Sequence, residues 1–222
     1  MNRRAIPISL AVAFLFTTLT PISAAANSKV DPTVSTFIEL LPVKGRAPKT
    51  GYTRNQFGQR WADINRNGCD TRNDILARDL KNLIFKVKTR DCVVLSGTLI
   101  DPYSEEVIDF VRGNISSMEV QIDHVVALSN AWQTGAFKLT LIQRTALAND
   151  PLNLLAVKGR LNSQKGDGDA ATWLPPQKDY RCAYVARQVL VKSKYSLWLT
   201  PSEKAAILQI LAKCPEQLVP EN

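Results

Sequence analysis

Histidine is almost absent from this sequence, since His124 is the only one among 222 residues. A single histidine excludes every site that needs two, including the H-E-x-x-H zinc hydrolases and histidine-rich zinc cages. The four cysteines contain no C-x-x-C pair, which argues against a zinc site built from cysteine thiolates. The familiar zinc-based chemistries are therefore not expected here.

Long apolar runs are lacking as well, except at the N-terminus. There, arginines at positions 3 and 4 precede an apolar run over 8–19, and small residues ending at Ala26 fit an A-x-A cleavage pattern. This arrangement predicts a signal peptide over residues 1–26, cleaved near Ala26. A membrane anchor is the alternative, but the run is shorter than the roughly 20 residues that span a bilayer. We expect a secreted protein without stable membrane association.

Acidic residues are fewer than basic ones. The net charge of +8 falls to +6 when the predicted signal peptide is removed, because that segment holds two arginines and no acidic residue. A basic secreted protein suits binding to nucleic acid, anionic lipid or an acidic cell wall. Charge alone does not choose among these partners.

The four cysteines are even in number and follow a predicted signal peptide, which is typical of two disulfides. Three pairings exist for four cysteines. We favour Cys69–Cys92 and Cys182–Cys214, because each pair is nearest in sequence and flanks a segment that is expected to contain a helix.

Hydrophobic patterning predicts one α+β domain over residues 51–222, preceded by an N-terminal arm over 27–50 without periodic signals. The β-branched run over 93–111 predicts a hairpin. An alternating segment over 119–123 predicts a strand that ends at His124. Further elements are expected over the following segments: helices at 71–82, 125–132, 139–147, 159–166, 178–195 and 200–213, and a strand at 151–157.

The residues that accompany His124 in the sequence make it a candidate catalytic residue. Asp123 precedes it directly, Asn153 follows thirty residues after Asp123, Asn162 nine residues later, and Lys165 three residues after that. This ordered set, within residues 119–167, resembles the HNH nucleases and their ββα-metal fold. It is most similar to the GmrSD-related variant of that family, which has Asp-His first and asparagine in both later positions. A lone histidine is otherwise more often structural or exposed than catalytic.

The resemblance implies a fold and a site. The fold is a ββα-metal nuclease core embedded in a single disulfide-braced domain with flanking helices. In the site, Asp123 and Asn162 would hold one divalent metal, Mg²⁺ by preference and Mn²⁺ as the second choice. The implied roles of the remaining residues are water activation by His124, support of the loop and orientation of the histidine by Asn153, and phosphate contact by Lys165.

The chemistry of these side chains also suits phosphodiester hydrolysis when the family resemblance is left aside. A neutral imidazole is available near neutral pH to take a proton from water. A metal held by one carboxylate and one amide oxygen keeps positions open for phosphate and water, and such hard ligands favour Mg²⁺ or Mn²⁺.

The sequence departs from the best-known HNH pattern in two respects. It has no second histidine to bind metal, and residues 126–151 form a long insertion before Asn153. Arg72 is a further candidate, as a clamp on the phosphate, with a structural role as the alternative. For Asp70 and Asp74 we favour helix capping.

The expected function is a secreted, metal-dependent endonuclease that hydrolyses DNA, with RNA as the second choice of substrate. One alternative is a non-catalytic basic binding protein on an HNH scaffold. Another is a cysteine-stapled cell-wall or toxin-like factor whose surface matters more than this site. The sequence indicates no protein partner.

Overall fold

A computed structural model describes residues 33–113 and 116–220, and the predicted signal peptide lies outside these ranges. Within them the chain is α+β, as expected, with two antiparallel sheets and helices that pack against them. The elements are α1 (Val34–Leu40), α2 (Thr71–Asp79), β1 (Leu80–Phe85), β2 (Val94–Ile100), β3 (Val107–Val111), β4 (Val120–His124), α3 (Leu128–Gln133), α4 (Leu141–Ala148), β5 (Leu154–Lys158), α5 (Gly159–Lys165), α6 (Arg181–Lys194) and α7 (Pro201–Leu211).

A ββα unit is formed by β4, β5 and α5. The two strands pair antiparallel, with His124 at the end of β4 opposite Leu154 at the start of β5. Helix α5 begins at Gly159, whose N–H donates to the carbonyl of Glu119 at 2.8 Å. A Cβ on Gly159 would lie only 1.9 Å from the carbonyl oxygen of Met118, so the tight strand-to-helix junction requires glycine.

The second sheet has the order β1-β2-β3, which confirms the hairpin predicted over 93–111. The helix predicted over 71–82 ends earlier, at Asp79, and β1 follows directly. Its sequence, Leu-Lys-Asn-Leu-Ile-Phe, also fits the apolar spacing of a continuing helix. Tertiary contacts decide the outcome, because β1 pairs antiparallel with β2, with Leu80 opposite Leu99 and Phe85 opposite Val94.

The start of α2 is capped and braced. Asp70 is the N-cap and accepts from the N–H of Asn73 at 2.8 Å, as a capping aspartate does. Both predicted disulfides are confirmed: Cys69–Cys92 ties this helix start to the segment before β2, and Cys182–Cys214 ties α6 to the segment after α7.

The N-terminal arm differs from expectation over its described part. Residues 34–40 form α1, which packs on α6 with Val34 and Ile38 fully buried in the core. The four-residue spacing of these two apolar side chains places them on one helix face. From residue 33 onward the arm is therefore an integral part of the domain, and residue 50 marks no boundary.

The insertion over 126–151 forms α3 and α4, whose apolar faces build a separate core cluster. It contains Trp132, Leu147 and Leu152 together with Phe57 from the N-terminal part. The cluster also includes Val126 and Leu128, which follow the end of β4 in the chain. None of the helices in the described ranges is long and apolar enough to cross a membrane.

Candidate active site

A pocket of about 460 Å³ opens where β4 ends. Its walls come from the segment before α2, from β4, from the start of α3, and from α5 with the loop that follows. The lining residues are Lys49, Tyr52, Arg54, Ile122, Asp123, His124, Ala127, Leu128, Ser129, Asn162, Gly166 and Asp167. Three of the residues that the sequence singled out, Asp123, His124 and Asn162, therefore meet in one place.

The imidazole of His124 is held in one tautomer. Its Nε2 lies 2.9 Å from the carbonyl oxygen of Ala148, at the end of α4. Because a carbonyl oxygen only accepts, Nε2 must carry the hydrogen, which leaves the lone pair on Nδ1. The indole of Trp61 lies nearly parallel to the ring, with centroids 6.3 Å apart and planes 14° apart.

Desolvation lowers the pKa of His124 to about 4. The hydrogen bond to Ala148 and the charge of Asp123 oppose this shift, while the positive charges of Arg54 and Lys165 add to it. The imidazole is therefore neutral at neutral pH, and its Nδ1 is able to accept a proton.

Asp123 is buried, and each of its carboxylate oxygens accepts a hydrogen bond. Oδ1 accepts from the Lys165 ammonium at 2.9 Å, and Oδ2 accepts from the Tyr103 hydroxyl at 2.5 Å. Burial, and after it the nearby charge of Asp123, raises the pKa of Tyr103 well above its usual value, so the hydroxyl remains a donor. Since each carboxylate oxygen has two lone pairs, each keeps one for another ligand.

Lys165 is placed differently from the expectation that it contacts a phosphate. Its side chain is completely buried, and its ammonium also donates to the backbone carbonyl of His124 at 2.8 Å. The last turn of α5 packs against β4, so the lysine stem runs through the interior and its charge balances Asp123. In the described structure the ammonium supports the end of β4 from within.

Asn162 lies one helical turn before Lys165 and lines the pocket. Its Nδ2 donates to the side-chain oxygen of Gln121 at 2.8 Å, which fixes the orientation of the amide. Among the residues at 33–113 and 116–220, its Oδ1 has no hydrogen-bond partner. The oxygen is therefore available to a ligand.

Asn153 is fully buried and holds the backbone that follows His124. Its Oδ1 accepts from the N–H of Val126 at 2.8 Å, and its Nδ2 donates to the carbonyls of Val126 and Leu147 at 3.3 Å. Its own carbonyl accepts from the N–H of Val125 at 2.8 Å. The side chain thus acts on the loop, and its influence on the imidazole passes through the backbone.

Arg72 does not reach the pocket, which corrects the expectation for this residue. It lies on α2, and its guanidinium donates to the carbonyl of Val120 at 3.4 Å. Val120 begins β4, whereas His124 ends it about 13 Å away at roughly 3.3 Å per residue. Because α2 packs over β5 near the start of β4, the structure favours the structural alternative.

Sequence reasoning missed the basic side of the pocket. Arg54 lies in a turn of 3-10 helix, half-buried, where burial and the charge of Arg60 lower the pKa of its guanidinium. It makes one hydrogen bond, to the carbonyl of Gly58 at 3.4 Å, among the described residues. Lys49 forms an ion pair with Asp167 at 3.2 Å. A sequence signal existed, because residues 44–60 contain basic residues and no acidic ones.

Asp167 lines the pocket after the end of α5. It accepts hydrogen bonds from the Ser129 hydroxyl at 2.9 Å and from Lys49, and the Ser129 bond is the largest cause of the lowered pKa of its carboxyl. The carboxylate is therefore ionised and anchored, and it links α3, α5 and the N-terminal segment around the pocket.

Few side chains in the pocket are able to bind a metal ion. The described ranges hold no group of three or more histidine, cysteine, aspartate or glutamate side chains that together suit a metal ion. Asp123 and Asn162 nevertheless line one pocket, where Asp123 offers a carboxylate oxygen with a spare lone pair and Asn162 an amide oxygen that has no hydrogen-bond partner among the described residues. This pair fits Mg²⁺, which commonly binds through one or two protein ligands and retains several waters.

The ββα unit carries Asp123 and His124 on its first strand and Asn162 on its helix. This arrangement indicates a nuclease-related class of protein. Residues 70–210 match the family described as GmrSD restriction endonucleases, C-terminal domain, and the chain belongs to this family. It is also similar to an "Uncharacterized secreted protein" of Arthroderma benhamiae, with 35% identity over 207 residues, which cover 92% of this chain and 96% of that protein. No solved structure matches the chain. The prediction of a secreted protein is confirmed by this relative, whereas the signal peptide itself stays a prediction.

Proposed function

We propose that this protein is a secreted endonuclease that depends on a divalent metal and hydrolyses phosphodiester bonds, with DNA favoured over RNA. The observation that carries the proposal is the state of His124. Its Nε2 is committed to the Ala148 carbonyl, which leaves the lone pair on Nδ1 of a neutral imidazole, and His124 lines one pocket together with Asp123 and Asn162. Membership in a restriction endonuclease domain family supports the same chemistry.

The proposed mechanism assigns each group one task. His124 accepts a proton from the attacking water at Nδ1. Asp123 and Asn162 would hold Mg²⁺ or Mn²⁺, and the bound ion would neutralise charge on the phosphate and on the leaving oxygen. Arg54, whose guanidinium makes one hydrogen bond among the described residues, binds oxygens of the phosphate.

The remaining groups keep this arrangement in place. Lys165 and Tyr103 orient the carboxylate of Asp123 through hydrogen bonds to its two oxygens. Asn153 fixes the backbone after His124, and the Ala148 carbonyl fixes the imidazole. These contacts prepare the site before substrate arrives, as efficient catalysis requires.

Cleavage of supercoiled plasmid tests the proposal. We expect nicking or linearisation with Mg²⁺, loss of cleavage in EDTA, and recovery when Mg²⁺ or Mn²⁺ is added in excess. His124→Ala should lower the rate by about 10²–10⁴-fold, the usual cost of removing a general base. Arg72→Ala is the matched control, because Arg72 lies away from the pocket.

Two outcomes would contradict the proposal. Cleavage by His124→Ala within a few-fold of the unaltered protein would remove the histidine from the mechanism, and cleavage in excess chelator would remove the metal. Binding of DNA without cleavage under any metal condition would favour the non-catalytic binding protein instead.

A further inference from the structure

Residues 44–60, here called the basic segment, are basic in sequence, and two of their charges form ion pairs, Arg46 with Asp169 at 2.6 Å and Lys49 with Asp167 at 3.2 Å. They contain five basic residues and no acidic one, and they precede the region that matches the family. The basic residues are Lys44, Arg46, Lys49, Arg54 and Arg60. Two of them, Lys49 and Arg54, line the pocket, so the segment leads from the protein surface into the candidate active site.

The basic segment follows a fixed course. The indole N–H of Trp198 donates to the carbonyl of Gly45 at 3.0 Å, and that of Trp132 donates to the carbonyl of Thr50 at 3.3 Å. Between them, the N–H of Ala47 donates to a carbonyl at the end of α3 at 2.8 Å. The segment is thus attached at several points and presents its side chains in a defined order.

A row of aromatic rings accompanies this segment. Tyr52, which lines the pocket, lies 6.2 Å from Trp132, measured between ring centroids. Trp132 lies 6.3 Å from Phe137, and Phe137 lies 6.2 Å from Trp198. Followed from ring to ring, the row therefore takes three steps of about 6 Å away from the pocket, and the phosphates of one strand repeat at about 3.4 Å of duplex axis.

Cations stand over both ends of the row. Lys49 lies 5.5 Å from the ring of Tyr52, while Lys44 and Lys138 lie 5.6 Å and 5.7 Å from the ring of Trp198. Lys44 and Lys138 are exposed, and within the described ranges neither forms an ion pair. Two positive charges at the far end of the row are therefore uncompensated.

We propose that the basic segment and Lys138 form a track that binds the phosphate backbone of a nucleic acid, running from the pocket to Trp198. The identity of this partner rests on the proposed function. Exposed lysines bind phosphates as point charges, and the aromatic rings beneath hold their stems in place. The track would hold several phosphates beyond the one that is cleaved, without reading the base sequence.

Binding of a fluorescent 20-base-pair duplex in EDTA tests the track separately from catalysis. The variant Lys44→Glu/Lys138→Glu should weaken binding, and the slope of log K against log salt should become less steep by about 1.8, or about 0.9 for each lost phosphate contact. The matched control, Lys86→Glu/Lys88→Glu, makes the same charge change on exposed lysines between β1 and β2. It should retain the slope of the unaltered protein.

Circular dichroism and thermal melting check that the variants are folded. If the glutamate variant fails to fold, Lys44→Gln/Lys138→Gln removes the same two contacts without adding negative charge, and the same change of slope is expected. An unchanged slope in the folded variant, or an equal change in the control, overturns the track. Loss of binding to anionic phospholipid vesicles with duplex binding unchanged also overturns it.

Failure of the proposed function gives a different result. A protein that cleaves nothing with Mg²⁺ but loses salt-dependent duplex binding in the Lys44/Lys138 variant has the track without the nuclease. A protein that binds no duplex at all has no track, whether or not it cleaves DNA.

Discussion

At the scale of single residues, Asp123 is unusual because its charge is balanced inside the protein. The ammonium of Lys165 contacts one carboxylate oxygen and the Tyr103 hydroxyl contacts the other. A divalent cation at Asp123 would therefore share the carboxylate with a buried lysine. The Lys165 ammonium and the metal ion would then compete for the Asp123 carboxylate. A lysine that only contacted phosphate would not compete with the metal, so metal binding distinguishes the two roles.

Lys165→Met tests that role. The substitution removes the buried cation and leaves the Asp123 carboxylate without its charged partner, which typically costs about 3–5 kcal/mol of stability. We expect a lower melting temperature without metal, and a larger stabilisation by Mg²⁺ in the variant than in the unaltered protein. Differential scanning calorimetry with EDTA or Mg²⁺ measures both.

The control for this measurement is Lys213→Met, an exposed lysine beyond the end of α7. Its melting temperature should change little with or without Mg²⁺. If Lys165→Met retained full stability and instead weakened only the binding of substrate, the phosphate contact that the sequence implied would be the better description.

Arg54 is the second residue whose importance emerges from the structure. Its guanidinium lines the pocket, carries one protein hydrogen bond among the described residues and acts electrostatically on His124. Loss of a hydrogen bond to a charged group costs roughly 1.5–3 kcal/mol, or about 10–160-fold in rate if it forms in the transition state. We expect Arg54→Ala to lower kcat/KM for DNA cleavage by that factor.

Arg54→Lys should recover part of this loss, because it restores the charge without the two-pronged geometry of guanidinium. Arg72→Ala should leave kcat/KM unchanged. If Arg54→Ala and Arg72→Ala lowered kcat/KM equally in steady-state kinetics, the role of Arg54 in binding the phosphate would be contradicted, because only Arg54 lines the pocket.

At the scale of elements, the junction between β5 and α5 allows a sharp test of packing. Gly159 has no room for a side chain, since a Cβ would meet the Met118 carbonyl at 1.9 Å. Gly159→Ala must move either the strand end or the first turn of α5, and α5 carries Asn162 and Lys165. We expect a loss of several kcal/mol in the free energy of unfolding, measured by urea titration.

Gly45→Ala is the matched control for this substitution. A Cβ at Gly45 has nothing within 4 Å, so the change should be neutral or stabilise by up to about 1 kcal/mol through the unfolded chain. Similar unfolding curves for the two variants would show that the junction adapts more easily than its geometry indicates.

Elements with local signals were predictable from the sequence. The order of Asp123, His124 and Asn162 located the pocket, and cap residues such as Asp70 located helix starts. Strand β1 was missed because its apolar spacing also continues the preceding helix. What was missed at the site depends on long-range contacts: a lysine in a helix gives no sign that it will pair with Asp123, 42 residues away.

At the scale of the whole molecule, the candidate site is assembled from distant parts of one domain. The ββα unit supplies Asp123, His124 and Asn162, the inserted helices supply the Ala148 carbonyl, and the N-terminal segment supplies Arg54. The N-terminal segment lies before the region matched by the family, so the pocket wall that contains Arg54 lies outside the family match. Both disulfides lie outside this assembly and brace the scaffold around it.

The final prediction concerns the Cys182–Cys214 disulfide. It closes a loop with a sequence separation of 32 residues and ties α6 to the chain after α7. The chain-entropy model gives roughly 3–4 kcal/mol for a loop of this length, a large part of a typical domain stability. In a domain of this size, that loss corresponds to a fall of roughly 6–16 °C in melting temperature.

Cys182→Ser/Cys214→Ser should therefore melt at a lower temperature but cleave DNA normally at 25 °C, because neither cysteine lines the pocket. Activity and melting temperature measured on the same samples separate the two effects. The Cys69→Ser/Cys92→Ser variant provides a comparison, since that disulfide closes a shorter loop with a separation of 23 residues. A disulfide that only stabilises the fold changes activity only by changing the fraction of folded molecules. If cleavage were lost while the protein remained folded, the disulfide would also help to position the site.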